Sequence, residues 1–177
     1  MFAVLGDLVK DITLPVVITQ HMPATFTSIL AEHISRIAGR ECVEGTNGAP
    51  LSPGSIYLAP GDYHMTVDSE SKIPTIQLNQ NPPENYCRPS VDPMFRSVAK
   101  YYGRGSLALV LTGMGQDGLA GGQVLVEAGG TMVAQDEDTS VVWGMPGAVA
   151  TNGLCSAVLP LTQISSHLKR LIKGDGR

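Results

Sequence analysis

Two spacings of apolar residues take turns along this chain, and their alternation predicts a layered α/β domain. Phe2, Val4, Leu5, Leu8 and Val9 fall on one face of an opening helix. Residues 16–18 form a short apolar run after Pro15, the pattern of a buried strand. Residues 26–38 return to helical spacing, with Phe26, Ile29, Leu30, Ile34 and Ile37 as the apolar stripe and Gly39 as the stop. The character then changes. Between residues 41 and 78, turn signals at Thr46-Asn47-Gly48, Ser52-Pro53-Gly54 and Pro60-Gly61-Asp62 separate short strands at 55–59, 64–67 and 75–78. An antiparallel excursion set into a βα framework is expected there. After a loop rich in Asn and Pro at 79–88, helical spacing resumes at 91–102. Strand and helix then alternate over 107–111, 119–128, 131–134, about 146–150, 157–159 and 161–172, with 173–177 as a frayed end. Alternation of this kind implies mainly parallel strands with helices on both faces, a doubly wound sheet.

The run from Leu109-Val110-Leu111-Thr112-Gly113 to Met114-Gly115-Gln116-Asp117-Gly118 carries the first candidate chemistry. It reads as a buried strand that turns sharply into a helix, with one carboxylate held in the turn. Open α/β sheets place their sites beyond the carboxyl ends of strands. His21, in Thr19-Gln20-His21-Met22-Pro23, occupies a second turn of the same kind. An imidazole can move a proton near neutral pH, and a carboxylate can orient it. Each residue also has a plainer account. An acid beside a helix N-terminus stabilises the helix by about 0.3–1 kcal/mol, and a lone histidine after a strand is more often packed or surface-exposed.

The glycines of the same turn, Gly113-x-Gly115-x-x-Gly118, also satisfy the dinucleotide-binding fingerprint, with Asp136 at the end of the next strand as the ribose-binding acid. Asp117 opposes that reading, because it sets a negative charge where a pyrophosphate belongs. In Arg88-Pro89-Ser90-Val91-Asp92, Ser90 reads as a helix cap and Asp92 as a first-turn acid; alternatively Arg88 and Ser90 line the approach of an anionic substrate. The acidic stretch at 135–140 reads as a solvated loop. Val141-Val142-Trp143-Gly144-Met145-Pro146, with the only Trp, reads as a packed lid or a binding surface.

Composition narrows the choices. A chain of 177 residues fits one domain with a sizeable core. A net charge of −4 with scattered Lys and Arg argues against nucleic acid as a partner. Cys42, Cys87 and Cys155 are odd in number and lack a C-x-x-C pair, which argues against a disulfide framework and a zinc site and fits a reducing compartment. No two of the histidines, His33, His64 and His167 included, have ligand spacing with a carboxylate, so no metal is assigned. The longest apolar runs are strand-sized, and residues 1–12 lack a basic segment, so neither a membrane span nor a signal peptide is expected.

Taken together, these segments resemble the catalytic domain of the chemotaxis protein-glutamate methylesterases, the CheB family. The resemblance rests on Thr19-Gln20-His21-Met22-Pro23, Gly54-Ser55-Ile56-Tyr57-Leu58-Ala59-Pro60-Gly61, Arg88-Pro89-Ser90-Val91-Asp92, the turn from Leu111 to Gly118, and Ala134-Gln135-Asp136-Glu137 through Gly144-Met145-Pro146. They occur in family order across nearly the whole chain. The resemblance implies a cytoplasmic serine hydrolase that removes methyl groups from glutamyl γ-methyl esters on the helices of bacterial chemoreceptors. It also implies deamidation of receptor glutamines in many members, and no cofactor. Carried over by motif, His21 is the general base and Asp117 the acid that orients it, with Met114 and Gly115 placed at the oxyanion site. The family's nucleophile lies on a Gly-x-Ser-x-Gly-Gly turn after its first strand, and this chain opens on the helix that follows. The expectation is therefore a CheB-type domain over 1–177, without its first strand, its serine or a receiver domain. It should show little esterase activity and should self-associate through exposed sheet edges. Binding of receptor helices without turnover is the alternative from a different class.

Overall fold

The computed structural model describes residues 1–68, 70 and 72–174. In chain order it contains α1 (Phe2–Leu8), β1 (Val16–Ile18), α2 (Ala24–Ala38), β2 (Cys42–Glu44), β3 (Ile56–Leu58), β4 (His64–Asp68), β5 (Thr75–Asn79) and α3 (Val91–Tyr102). The second half adds β6 (Leu107–Val110), α4 (Leu119–Glu127), β7 (Thr131–Gln135), α5 (Met145–Thr151), β8 (Ala157–Leu159) and α6 (Leu161–Lys173). Two sheets are parallel throughout, in the orders β1-β3-β2 and β6-β7-β8, and β4 and β5 form an antiparallel pair.

The two parallel sheets share both of their cores, which places them in one layer. Successive strand side chains point to opposite faces. Ile18 and Leu58 from the first sheet and Leu109 and Val133 from the second pack with α1, α2 and α6, through residues such as Leu5, Ile34 and Ile164. Their neighbours Val17, Tyr57, Val110 and Ala134 turn to the other side, against Met94 and Phe95 of α3, Leu125 of α4 and Val149 of α5. The architecture is thus a mainly parallel α/β layer with helices on both faces, as the alternation predicted. Among the described residues, β1 and β6 each carry an edge that no strand pairs.

Three expectations need correction. The antiparallel part is narrower than residues 41–78: β2 and β3 run parallel to β1, and only β4 and β5 form a hairpin pair. Ile56, Tyr57 and Leu58 are buried on both faces, as strands covered by helices on two sides must be. The turn signals between them mark a return loop instead of a hairpin.

The apolar stripe of α2 is rotated from the expected one. Phe26, Ile29 and Ile37 are exposed at 53%, 50% and 44%, while Thr27, Leu30, Ala31, Ile34 and Ala38 face inward. Thr27 sets the rotation: its hydroxyl donates to Glu44 at 2.5 Å and accepts from the Gly61 amide at 3.2 Å. Small inward residues then let the helix lie close on β2.

At the C-terminus, α6 continues through Lys173 and is stopped by Gly174 in the left-handed conformation. The rest of the predicted frayed end, residues 175–177, lies outside the described residues.

Candidate active site

Two turns at the carboxyl ends of β1 and β6 meet. His21 follows β1 and leads directly into α2, whose start is seated on the loop after β3. A Cβ on Gly61 would lie 2.2 Å from the Ala24 nitrogen, so only glycine lets α2 begin there. Asp117 follows β6 and precedes Gly118, the N-cap of α4, at φ 93°. The His21 Nε2 and the Asp117 Oδ2 are 2.6 Å apart, across 96 residues of sequence. With Nε2 donating to the carboxylate, Nδ1 is left as the free acceptor of the ring. The His21 side chain is 26% exposed and that of Asp117 2%.

Asp117 is held from four further directions. Its Oδ1 accepts from the Ser90 hydroxyl at 2.7 Å, the Asp92 amide at 3.0 Å and the Asn85 side-chain amide at 3.0 Å. Its Oδ2 accepts from the Val91 amide at 2.7 Å as well as from His21. Burial pushes this carboxyl up; the bonds from His21, the Val91 amide, the Ser90 hydroxyl and the Asp92 amide outweigh it and hold the group below the ordinary carboxylate value. The acid is ionised, dry and fixed.

Ser90 and Asp92 play different parts from those read in the sequence. Ser90 is the N-cap residue of α3, yet its side chain makes no cap bond and points to Asp117, which itself caps α3 through Val91 and Asp92. Asp92 does not serve its own helix. Its Oδ1 accepts from Gly118 at 3.0 Å and Gly121 at 2.6 Å, the first amides of α4. The two helices thus exchange carboxylates, which their close approach permits: a Cβ on Gly121 would sit 2.6 Å from the Asp92 carbonyl oxygen.

That exchange also answers the dinucleotide reading. The α4 amides that would receive a pyrophosphate are already taken by Asp92, and Asp136 turns to the Thr139 amide and hydroxyl. The fingerprint is met in sequence and its anion site is filled.

The remaining candidates fall around this centre. Arg88 is committed to structure, donating to Asp62 Oδ1 at 2.6 and 3.1 Å and to the carbonyls of Gln80 and Asn81 at 3.1 Å each. Met114 is exposed at 80%, and Gly115 adopts φ 85° in the open part of the β6–α4 turn. Trp143 is anchored: its indole donates to the Gln135 carbonyl at 3.2 Å and its ring packs on Gly147. Val141 beside it is exposed.

Sequence reasoning missed Asn85, Gln135 and the role of His64. Gln135 is buried, and its side chain accepts from the Thr112 amide and donates to the Thr139 carbonyl, tying the ends of β6 and β7 to the Trp143 loop. His64 is buried, accepts from the Ser90 amide at 3.2 Å and faces the Pro82 carbonyl at 3.1 Å. It locks the entry to α3. Nothing in the local pattern separated Asn85 from its neighbours in an Asn-rich loop.

All three cysteines are free; burial pushes Cys42 and Cys155 up to about 11. Cys87 is raised first by burial and then by the nearby Asp117 charge, which makes it a poor nucleophile. Among the described residues no cluster of three His, Cys, Asp or Glu could hold a metal ion, and no helix is long and apolar enough to cross a membrane.

A family model described as CheB methylesterase matches residues 1–168. The chain belongs to the CheB methylesterase family. A Rhodospirillum rubrum protein named protein-glutamate methylesterase/protein-glutamine glutaminase 1 is 58% identical over 172 residues, 96% of this chain and 44% of that protein. An Azospirillum brasilense protein named protein-glutamate methylesterase/protein-glutamine glutaminase is 56% identical over 171 residues, 96% of this chain and 43% of its own length. The chain therefore spans somewhat less than half the length of these CheB relatives. In three dimensions it superimposes on the crystal structure of the Thermotoga maritima CheB methylesterase catalytic domain with a TM-score of 0.92 at 34% identity, covering 96% of this chain and 90% of that one.

Proposed function

We propose that this chain supplies the base and the orienting acid of a serine hydrolase acting on glutamyl γ-methyl esters of chemoreceptor helices, and on receptor glutamines. The carrying observation is the 2.6 Å bond between His21 and Asp117, at the carboxyl ends of β1 and β6, each of which leaves one edge unpaired among the described residues. A base between a buried acid and an open edge is arranged to serve a group arriving along that edge. Among the described residues no hydroxyl bonds to the His21 ring, and Ser90, the nearest buried hydroxyl to the pair, is spent on Asp117. We place the nucleophile on a strand seated between β1 and β6, ending in the serine turn of the family. A CheB-type catalytic domain then extends over residues 1–177 together with that strand.

In the reaction, His21 Nδ1 takes the proton of the serine hydroxyl as its oxygen attacks the ester carbonyl, while Asp117 stabilises the imidazolium. The proton passes to the departing methoxy oxygen, methanol leaves and a glutamyl–serine ester remains. Water, deprotonated by the same histidine, cleaves that ester and frees glutamate and serine. With a glutamine side chain the leaving group is ammonia. Amides of the Met114–Gly115 turn are suited to the oxyanion, an effect worth about 2.7–4 kcal/mol per donor. The cytoplasmic helices of methylated receptors are the partner, and the Met114 and Val141 side chains offer them an apolar rim.

The test is methanol release from a methylated receptor fragment. By itself the chain should run near background, binding the fragment at most. Joined ahead of Met1 to a strand ending in the family's Gly-x-Ser-x-Gly-Gly turn, it should release methanol, and His21→Ala should cut the rate by roughly 10⁴-fold or more. Release that survives His21→Ala, or a folded and extended chain that stays silent, overturns the reading.

A further inference from the structure

We propose that Asn85, with Asp92 behind it, is a positioning residue that fixes the Asp117 carboxylate toward His21. The proposal rests on the hydrolase reading of the His21–Asp117 pair and adds a part of that site which neither motif nor name assigns.

Asn85 is the side chain that touches both exchanged carboxylates. Its amide nitrogen donates to Asp92 Oδ2 at 2.8 Å and to Asp117 Oδ1 at 3.0 Å. The nitrogen must be the atom between them, because the carbonyl oxygen of the amide would face two other acceptors. Both amide hydrogens are used, one for each acid. Asp92 is in turn pinned by the Gly118 and Gly121 amides, so the chain α4 amides–Asp92–Asn85–Asp117–His21 is continuous.

The backbone is shaped to deliver this amide. Asn85 sits at φ 52°, in a tight turn closed by bonds between the Glu84 and Cys87 backbones at 2.9 and 3.2 Å. Among L residues, asparagine adopts that region most readily. Without the amide, Asp92 Oδ2 and Asp117 Oδ1 would lose their shared donor and confront each other across the space it left. Like charges at that range repel, and the Asp117 carboxylate would turn about its α3 contacts, carrying Oδ2 away from its alignment on the imidazole.

A purely structural account gives Asn85 the task of tying its turn to α3. The Glu84–Arg96 ion pair at 2.5 Å also does that, without touching Asp117, and so provides the control.

The test is proton NMR of the labelled chain, following the low-field resonance of the His21 Nε2 proton, assigned by its loss in His21→Ala. A short bond to a carboxylate moves this proton downfield and slows its exchange with water. Asn85→Gly keeps the backbone conformation and removes the amide. It should shift the resonance upfield and speed its exchange by roughly tenfold or more, the scale of one hydrogen bond of ordinary net strength. Glu84→Ala should leave the signal in place. If Asn85→Gly does not fold, the size-matched Asn85→Asp, which replaces the donor with a third carboxylate, must give the same loss. An unchanged resonance in a folded Asn85 variant, or an equal change in Glu84→Ala, refutes the positioning role. If the parent chain shows no such proton, the His21–Asp117 pairing itself is wrong; that outcome is distinct from an intact signal indifferent to Asn85.

Discussion

The two halves of the dyad are built to opposite specifications. Asp117 sits where α3 and α4 exchange carboxylates, and five donors converge on its two oxygens. His21 sits on the turn after β1, a strand with one open edge, keeps 26% of its side chain exposed and has one side-chain partner, Asp117. The carboxylate is over-determined and the imidazole is oriented through it. The proposed hydrolase mechanism calls for that division: its acid must not move or change charge, whereas its base must meet a hydroxyl, a leaving group and a water in turn.

The sharpest way to break this comparison is to delete each partner in turn and measure stability in urea. Asp117→Ala strips acceptors from the Val91 and Asp92 amides and the Ser90 hydroxyl, all buried; unfolding free energy should fall by roughly 3 kcal/mol or more. His21→Ala, on the half-open side, should cost under about 1 kcal/mol. Equal losses would mean that the acid is no better anchored than the base.

Acid titration sharpens the same contrast with a smaller effect. The Asp117 pKa is depressed in the native state, so its contribution is fully present above the ordinary carboxylate value of about 3.9 and is lost as pH falls through the lower native value. The stability gap between the parent and Asp117→Asn should be constant from neutrality down to about pH 5 and close progressively below pH 4. A gap that closes well above pH 5 would rule out the depressed Asp117 carboxyl as its source.

The smallest expected effect concerns the open side alone. The unpaired edges of β1 and β6 present backbone donors and acceptors to any strand that fits. Sedimentation of the chain should show concentration-dependent self-association, and joining the serine-bearing strand should suppress it. A strict monomer with those edges free would remove the argument for a strand seat between them.

Much of this molecule was legible in advance, and the misreadings follow one rule. Strands and helices of the second half were located by spacing, because continuous apolar runs of four or five residues bounded by glycine have few other uses. His21 and Asp117 stand out, and pair as candidates, as turn residues after strands; the family resemblance adds their roles. The stripe of α2 departs from its apolar spacing because its rotation is set by Thr27 bonding Glu44 and Gly61, contacts that leave no periodic trace. The antiparallel span is narrower than its turn signals suggest, since these mark where a chain bends and carry no record of which strand it returns to.

The pattern of the sequence determined the α/β layering, the order of elements and the residue types that could move a proton. The tertiary structure decided which carboxylate serves which helix. Ser90 and Asp92 each had a local role available at the start of α3, and both gave it up to partners across the α3–α4 contact. Local propensity is worth about a kilocalorie per mole at a cap, and a buried carboxylate satisfied by amides from a second helix outweighs it. Asn85 shows the same limit: its chemistry arises only where two acids from distant segments meet, and no single stretch of sequence contains that meeting point.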